Sequence, residues 1–481
     1  MEEPFNSKRL RVNHCEDEED KLLCRKDVSM NTVQTYDVLV IGSGIAGLSA
    51  AIEAASQGAR VCVIEQLPKA GGNTLISDGG IAVPSHPLQK KEHIDDSPEL
   101  LIEDMLKAGK HKNDPALVKK VASEAYEAFR WTEAMGVVYQ DRLDFFGGHS
   151  VPRCLTTQNK KGKDFINVMT KKALSLGVRF HYRTTIESFR FSDKVLKAVI
   201  AHDHKGMVHQ FSAFKSVVVA SGGFGSNQTL IHQLKPHYKD LMSTNLPSAQ
   251  GTVLTLLEAS GAKLIDMDAI QCGPWGSPLE KGFGLGPLFA DYIALPYGVL
   301  LDPIHAKRFI NERVDRQTVS EAMLRYPYAL ALTDAKMVLE RGWSLEALIT
   351  KQIVTKHENL EALAKAYNLK SEALQTTIHE YNHAIEKHEK DPFGKDLKVV
   401  SPLKTAPFYV MKTVPKIHHT MGGLAIDTNA RVLGVDNTPY INLFAAGECT
   451  GGVHGHSRLG SMALVDGLVM GRTAGREATK R

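Results

Sequence analysis

The spacing of hydrophobic positions changes along this chain, and the changes mark its elements. Val38-Leu39-Val40-Ile41, Val61-Cys62-Val63-Ile64 and Val217-Val218-Val219-Ala220 are short unbroken apolar runs rich in β-branched residues. Such runs read as strands buried on both faces of a parallel sheet. The alanine-rich stretch after Gly47 reads as a helix, so the chain near its start predicts a strand, a helix and a second strand. From Val178 to Phe214, β-type segments alternate around Ser192-Asp193-Lys194 and Lys205-Gly206, which predicts a small antiparallel sheet. Leu374, Ile378, Tyr381 and Ile385 have the spacing of an amphipathic helix with a core stripe. Asp114-Pro115 opens another helix, with an N-cap and a proline at the first helical position, and Gly136 closes it.

The first strand-to-helix turn reads Gly42-Ser43-Gly44-Ile45-Ala46-Gly47. Gly42 allows the tight turn, Gly44 lets backbone approach a pyrophosphate, and Gly47 lets helix and strand pack closely. The helix that opens at Ile45 and Ala46 offers free N–H groups to phosphates. Glu65 ends the second strand where a carboxylate would hold a ribose 2′-OH. Together these features predict a dinucleotide site. The stretch Gly71-Gly72-Asn73-Thr74, continuing to Gly79-Gly80, is too glycine-rich for an ordinary helix and lets backbone lie against something flat.

Composition narrows the chemistry. At 481 residues and 43% hydrophobic, the chain can bury a large core and suggests two or three domains. A formal charge of +4 is mild and dispersed, so nucleic acid is not an expected partner. No run of 18 apolar residues exists, hence no membrane span is expected. The N-terminus lacks an apolar signal segment, which makes the cytoplasm the default compartment. The six cysteines (15, 24, 62, 154, 272 and 449) form no CxxC pair, so redox chemistry must rest on a bound organic cofactor. His202, His204 and His209 lack cysteine or carboxylate company, and no metal site is expected. Residues 1–34 are polar and of mixed charge, and read as a disordered extension.

Further motifs lie downstream: Ser221-Gly222-Gly223-Phe224-Gly225, Arg308-Phe309-Ile310-Asn311-Glu312, His418-His419-Thr420-Met421-Gly422-Gly423, and Ala446-Gly447-Glu448 through Arg458-Leu459-Gly460. With the first turn and Gly71-Gly72-Asn73, this set resembles the flavoprotein of the fumarate reductase and succinate dehydrogenase family, over roughly residues 35–478. It most resembles the branch of flavocytochrome c fumarate reductases and related enoate reductases. The resemblance implies an α/β fold: a Rossmann-like, GR2-type FAD-binding domain interrupted by an inserted α+β capping domain. The expected boundaries are 35–272 and 416–481 for the FAD-binding domain and 273–415 for the cap.

The same resemblance implies hydride transfer from flavin N5 to the β-carbon of an activated double bond, with an arginine protonating the α-carbon. The matching arginine is Arg316, while His418 and Arg458 match the holders of a substrate carboxylate. Arg458 suits bidentate carboxylate binding better than lysine would. Beyond Gly42, Gly44, Ile45, Ala46, Gly47 and Glu65, the expected FAD contacts are Gly72, Asn73, Thr74, Gly79, Gly80, Ser221, Gly222, His419, Gly447, Glu448, Ser461, Ala463 and Leu464. A final helix starting near Ser461 would point its positive end at the flavin pyrimidine.

Departures from the family pattern refine these expectations. Asn73 stands where covalent members have a histidine, so FAD is expected to be non-covalent. Gly273, within Gln271-Cys272-Gly273-Pro274-Trp275, replaces a histidine that binds a second carboxylate, which weakens fumarate as substrate and favours a larger, aromatic or mono-carboxylate enoate. The residues that relay protons to the arginine are absent, and Asp291 is the candidate to orient or reprotonate Arg316 or to bind a polar substrate group; the reading as a loop acid stands beside it. No electron-donor domain is recognisable, so a separate protein or small carrier is the expected redox partner; the oligomeric state is left open. Alternative readings are a dehydrogenase running in reverse, like a tricarballylate or ketosteroid dehydrogenase, and a non-catalytic flavin-binding subunit.

Overall fold

The computed structural model describes residues 31–342 and 344–480. The first two apolar runs form strands as predicted, within β1 (Asn31–Ile41) and as β2 (Val61–Ile64), and are followed by β3 (Gly80–Ala82), β4 (Cys154–Thr156) and β5 (Arg179–His181). The alternating segment gives β6 (Thr184–Ser192), β7 (Val195–Asp203) and β8 (Val208–Val219). Then come β9 (Leu264–Ile265), β10 (Ile270–Gly276), β11 (Val299–Leu301), β12 (Ala329–Asp334), β13 (Val354–His357) and β14 (Phe408–Thr420). The chain ends through β15 (Gly423–Leu424), β16 (Arg431–Leu433) and β17 (Pro439–Ala445) into the helix Met462–Ala478.

An eight-stranded sheet runs in the order β16-β17-β8-β1-β2-β5, with β7 attached to β8 and β6 to β7. Its centre is parallel: Val40 lies between Val63 on β2 and Val218 on β8, and Phe444 on β17 faces Val218 from the other side. Both ends of the chain therefore supply this sheet. The helix Ile45–Ser56 packs on Met462–Ala478 at glycines: a Cβ on Gly471 would stand 2.5 Å from Ala46 O, and one on Gly475 2.4 Å from Ala50 O. Such contacts bring the N-terminus of each helix to the same end of the sheet, where ligands of open α/β sheets bind.

A second, antiparallel sheet orders β10-β14-β12-β11, with β13 also on β14. The junctions expected at 272/273 and 415/416 fall inside β10 and β14, which pair with each other through Cys272 and Ile417. The helix Pro115–Met135 is capped by the Asp114 side chain, and it stops at Gly136 with φ 105°. In Ser371–Glu386, the stripe Leu374, Ile378 and Tyr381 is buried.

One boundary needs correction. Residues 31–34, assigned above to a disordered extension, begin β1, and Gln34 pairs with Phe211 of the long strand β8. Backbone pairing to a neighbour that overhangs the sheet outweighs the polar composition there. The rest of that extension, residues 1–30, lies outside the described residues. No group of histidine, cysteine or carboxylate side chains suited to a metal ion occurs among the described residues, and no described helix is long and apolar enough to cross a membrane.

Candidate active site

A deep cavity follows the end of the parallel sheet and continues under β10 and β14. At its nucleotide end the glycines divide into two kinds. Gly42 has φ 100°, and a Cβ there would stand 2.3 Å from Ala220 O; a Cβ on Gly47 would stand 2.0 Å from Gly42 O. These two close the turn. Gly72 (φ 48°) and Gly222 (φ 77°) line the cavity, and a Cβ on either would meet nothing within 4 Å among the described residues. Those two leave a smooth wall against which a flat ligand can lie.

The helix Ile45–Ser56 starts from extended Gly44 with no side-chain cap, so most of its first-turn N–H groups remain for an anion. The Ile45 N–H donates to Thr74 Oγ1 at 3.2 Å. Glu65 is buried, and its carboxylate accepts from the Ser43 N–H at 2.9 Å and the Leu67 N–H at 2.8 Å. Asn73 donates to Asn245 Oδ1 at 2.5 Å and accepts from the Leu246 N–H at 2.9 Å, tying the glycine-rich segment to the loop opposite. Ser221 Oγ is buried without a partner among the described residues. An uncapped helix end, a glycine wall and an orphan hydroxyl fit a dinucleotide such as FAD.

At the other end stand Arg316, His418, Arg458 and Asp291, all lining the cavity. Arg316 opens the helix Arg316–Met323, whose N-cap Asp315 accepts from the Thr318 N–H at 3.2 Å. Its Nη2 donates to Asp291 Oδ2 at 2.8 Å. Trp275 supplies a face 4.4 Å from the guanidinium carbon, and Phe146 another at 5.6 Å. His418 Nδ1 and Thr244 Oγ1 share a 2.8 Å hydrogen bond, and the imidazole meets Trp275 edge-on at 5.0 Å. Arg458 donates from Nη1 to Leu459 O at 3.0 Å and makes no ion pair among the described residues. The Nε atoms of both arginines are buried and unpartnered there.

Burial dominates the electrostatics. It pushes the Asp291 carboxyl up to about 6 against the pull of Arg316, and the Glu448 carboxyl up to about 7 against the Thr420 N–H that donates to it. Burial and the neighbouring arginines hold His418 and His419 well below the ordinary imidazole range, so both are neutral. Burial, helped by Arg316, brings Arg458 down to about 9. A cavity that penalises charge this strongly rewards a ligand carboxylate placed against Arg458.

Most of the sequence-derived residues meet at this cavity: the cofactor set from Gly42 to Leu464, Glu448 and His419 among them, and the four polar residues above. Gly47 and Gly79 do not line it. Gly47 serves helix packing, while a Cβ on Gly79 would press on Thr157 Oγ1 at 2.8 Å, so that glycine accommodates the 157–161 loop instead. Sequence reasoning singled out no role for Trp275, Asp78, Thr244 or Phe283, which also line the cavity. Asp78 accepts from the Tyr292 hydroxyl at 2.8 Å. The signal available was position: Asp78 sits inside the Gly71–Ala82 stretch, and Trp275 two residues after the departure at Gly273.

Known proteins resemble this chain in sequence and fold. A family model described as an FAD binding domain matches residues 37–464. The chain is 33% identical over 458 residues to the acrylate reductase flavoprotein subunit of Shewanella woodyi, covering 92% of this chain and 90% of that one. It is 32% identical over 453 residues to the NADH:fumarate oxidoreductase of Klebsiella pneumoniae, covering 93% of this chain but 48% of the relative, so it spans about half that protein's length. A solved structure of the open conformation of a flavocytochrome c3 fumarate reductase aligns with a TM-score of 0.76 and 30% identity, over 99% of this chain and 85% of that one.

Proposed function

The chain belongs to the FAD-binding family of fumarate reductase-like flavoproteins, and from that premise we propose that it reduces the C=C bond of an α,β-unsaturated carboxylate in the cavity lined by Arg316 and Arg458. It is an FAD-dependent oxidoreductase; the substrate class, the direction and the residue roles are our reading. The observation that supports it best is the meeting of two buried guanidiniums, only one of which has a carboxylate partner among the described residues.

FAD held by Ile45, Glu65, Gly72 and Gly222 would supply the hydride. Arg458 holds the substrate carboxylate through its paired N–H donors, a fork that matches carboxylate geometry. His418, oriented by Thr244, adds a hydrogen bond to the same group. Arg316 holds the proton that goes to the α-carbon. A guanidinium gives up a proton only to a strongly basic centre, and the carbanion-like α-carbon is one. Asp291 fixes the guanidinium and returns the proton to it. Asn73, which occupies the place of a flavin-linking histidine, supports non-covalent FAD; acid precipitation should then release all the yellow colour. An electron carrier reduces the flavin.

The experiment is anaerobic. The purified yellow protein is photoreduced and mixed with acrylate, methacrylate, fumarate, urocanate and cinnamate. Rapid flavin reoxidation by one of these acids supports the reading. Bleaching of the oxidised protein by a saturated acid, with no enoate effective, would replace it with a dehydrogenase.

A further inference from the structure

Trp275 fills the space in which a side chain at position 273 would stand. A Cβ built on Gly273 would lie 2.5 Å from Trp275 Cζ2 and 2.7 Å from Cη2, well inside the ~3.5 Å at which carbon atoms begin to repel. The glycine therefore admits the indole, and the indole demands the glycine. β10 holds the arrangement, since Thr413 Oγ1 on β14 donates to Pro274 O at 2.7 Å. The ring is 1% exposed and lines the cavity.

The indole shapes what the cavity accepts. It covers one face of Arg316 at 4.4 Å and meets His418 edge-on, with Phe283 on another side of that imidazole at 6.1 Å. Its Nε1–H is buried with no partner among the described residues, whereas buried tryptophan N–H groups usually find one. The surroundings of His418 on these two sides are thus aromatic and uncharged. Arg316 is already paired with Asp291, His418 is neutral, and Arg458 alone of the two guanidiniums lacks an ion pair among the described residues. One carboxylate is matched. A second would be stripped of water against aromatic rings and brought near Asp291 without a free cation.

Resting on the reading above, we propose that Trp275, seated over Gly273, is the specificity-determining residue of this site: it selects monocarboxylate 2-enoates whose planar, uncharged β-substituent lies against the indole, and it excludes dicarboxylates.

The test uses the full FAD-loaded chain. Turnover is read as anaerobic flavin reoxidation by cinnamate and by fumarate, and binding as the shift of the flavin's visible spectrum by 3-phenylpropionate and by succinate. The wild type should favour cinnamate over fumarate in kcat/KM by about 100-fold or more, and Trp275→Leu should lower the cinnamate value by roughly 10- to 100-fold, chiefly through KM. Trp275→Phe should keep most of the preference. Gly273→Ala, which retains the indole but takes its space, should reproduce the loss alone and add little in the Trp275→Leu background. Equal use of cinnamate and fumarate by the wild type, an unchanged preference in Trp275→Leu, or full additivity of the two substitutions would overturn the proposal. If no enoate of either class reoxidises the flavin, the reductase reading fails, and binding judges the selectivity of the cavity separately. There, 3-phenylpropionate at least about 10-fold tighter than succinate upholds selection, and equal affinities refute it. That arm needs no variant, so it survives any failure of a substituted protein to fold.

Discussion

Arg316 Nη2 stands 2.8 Å from Asp291 Oδ2, and both side chains are 8% exposed. Asp291 lies on the π-helical turn Ala290–Ala294, a wider winding that is frequent at functional sites. Between this carboxylate and the Trp275 face, the guanidinium is fixed on two sides before any substrate arrives. Such preorganisation is what a proton donor to carbon requires.

Asp291→Asn should lower turnover by about 10- to 1000-fold, since it removes the group that returns the proton. The pH profile identifies the role. Burial pushes the carboxyl up to about 6 while Arg316 keeps its charge, and it rises further once Arg316 has given up its proton, so the wild-type kcat should fall with rising pH only above that value. The asparagine variant should be slow and lack that limb.

Glu448 makes stability depend on pH. Burial raises its carboxyl to about 7, above the 4.5 of an ordinary glutamate, so the folded state keeps a proton that the unfolded chain loses between those values. Protons bound only by the folded state make stability fall as pH rises across that window. The Tm of the wild type should therefore drop between pH 5 and 8 by more than that of Glu448→Gln, measured by calorimetry in matched buffers.

Gly47 and Gly72 should differ in how far alanine destabilises the fold. At Gly47 the new methyl would stand 2.0 Å from Gly42 O, a backbone atom, so Gly47→Ala should destabilise by about 3 kcal/mol or more and prevent FAD uptake together. At Gly72 the methyl enters open cavity at φ 48°, so Gly72→Ala should fold, with a milder cost of about 1 kcal/mol for the backbone, and lose FAD affinity. Urea melts and FAD titration of each variant separate the two effects.

Arg153 is fully buried, with Nη2 2.8 Å from Asp96 Oδ1 and Nη1 2.7 Å from Asp104 Oδ2. It precedes β4, whose partner β3 passes beside Ser461 at the cavity. Arg153→Leu leaves two buried carboxylates without their cation and should cost about 3–5 kcal/mol in urea unfolding.

The fold was legible where local rules act alone. Buried strands announce themselves as β-branched runs, and in the turn from Gly42 to Gly47 the φ of 100° at Gly42 and the press of Gly47 on Gly42 O are local requirements for glycine. Asp114, Pro115 and Gly136 marked a helix in the same way. Residues 31–34 were misread because their order comes from pairing with β8, a partner more than 170 residues away. The site was legible only in part for a similar reason. Trp275 reads as one more core aromatic until β10 brings it over Arg316, and Gly79 looks like a cofactor glycine until the 157–161 loop is seen packed against it. Motif positions found the charged residues, whereas the wall that surrounds them depends on tertiary packing.

The most direct test of the account is single-turnover reoxidation of the photoreduced, FAD-loaded protein by the enoate that the wild type uses, compared with Arg316→Gln. The account predicts a loss of about 1000-fold in rate, while the spectral shift on binding that acid changes by less than about 10-fold in Kd because Arg458 still holds the carboxylate. A variant that reoxidises within a few-fold of the wild-type rate would show that the α-carbon receives its proton from another group.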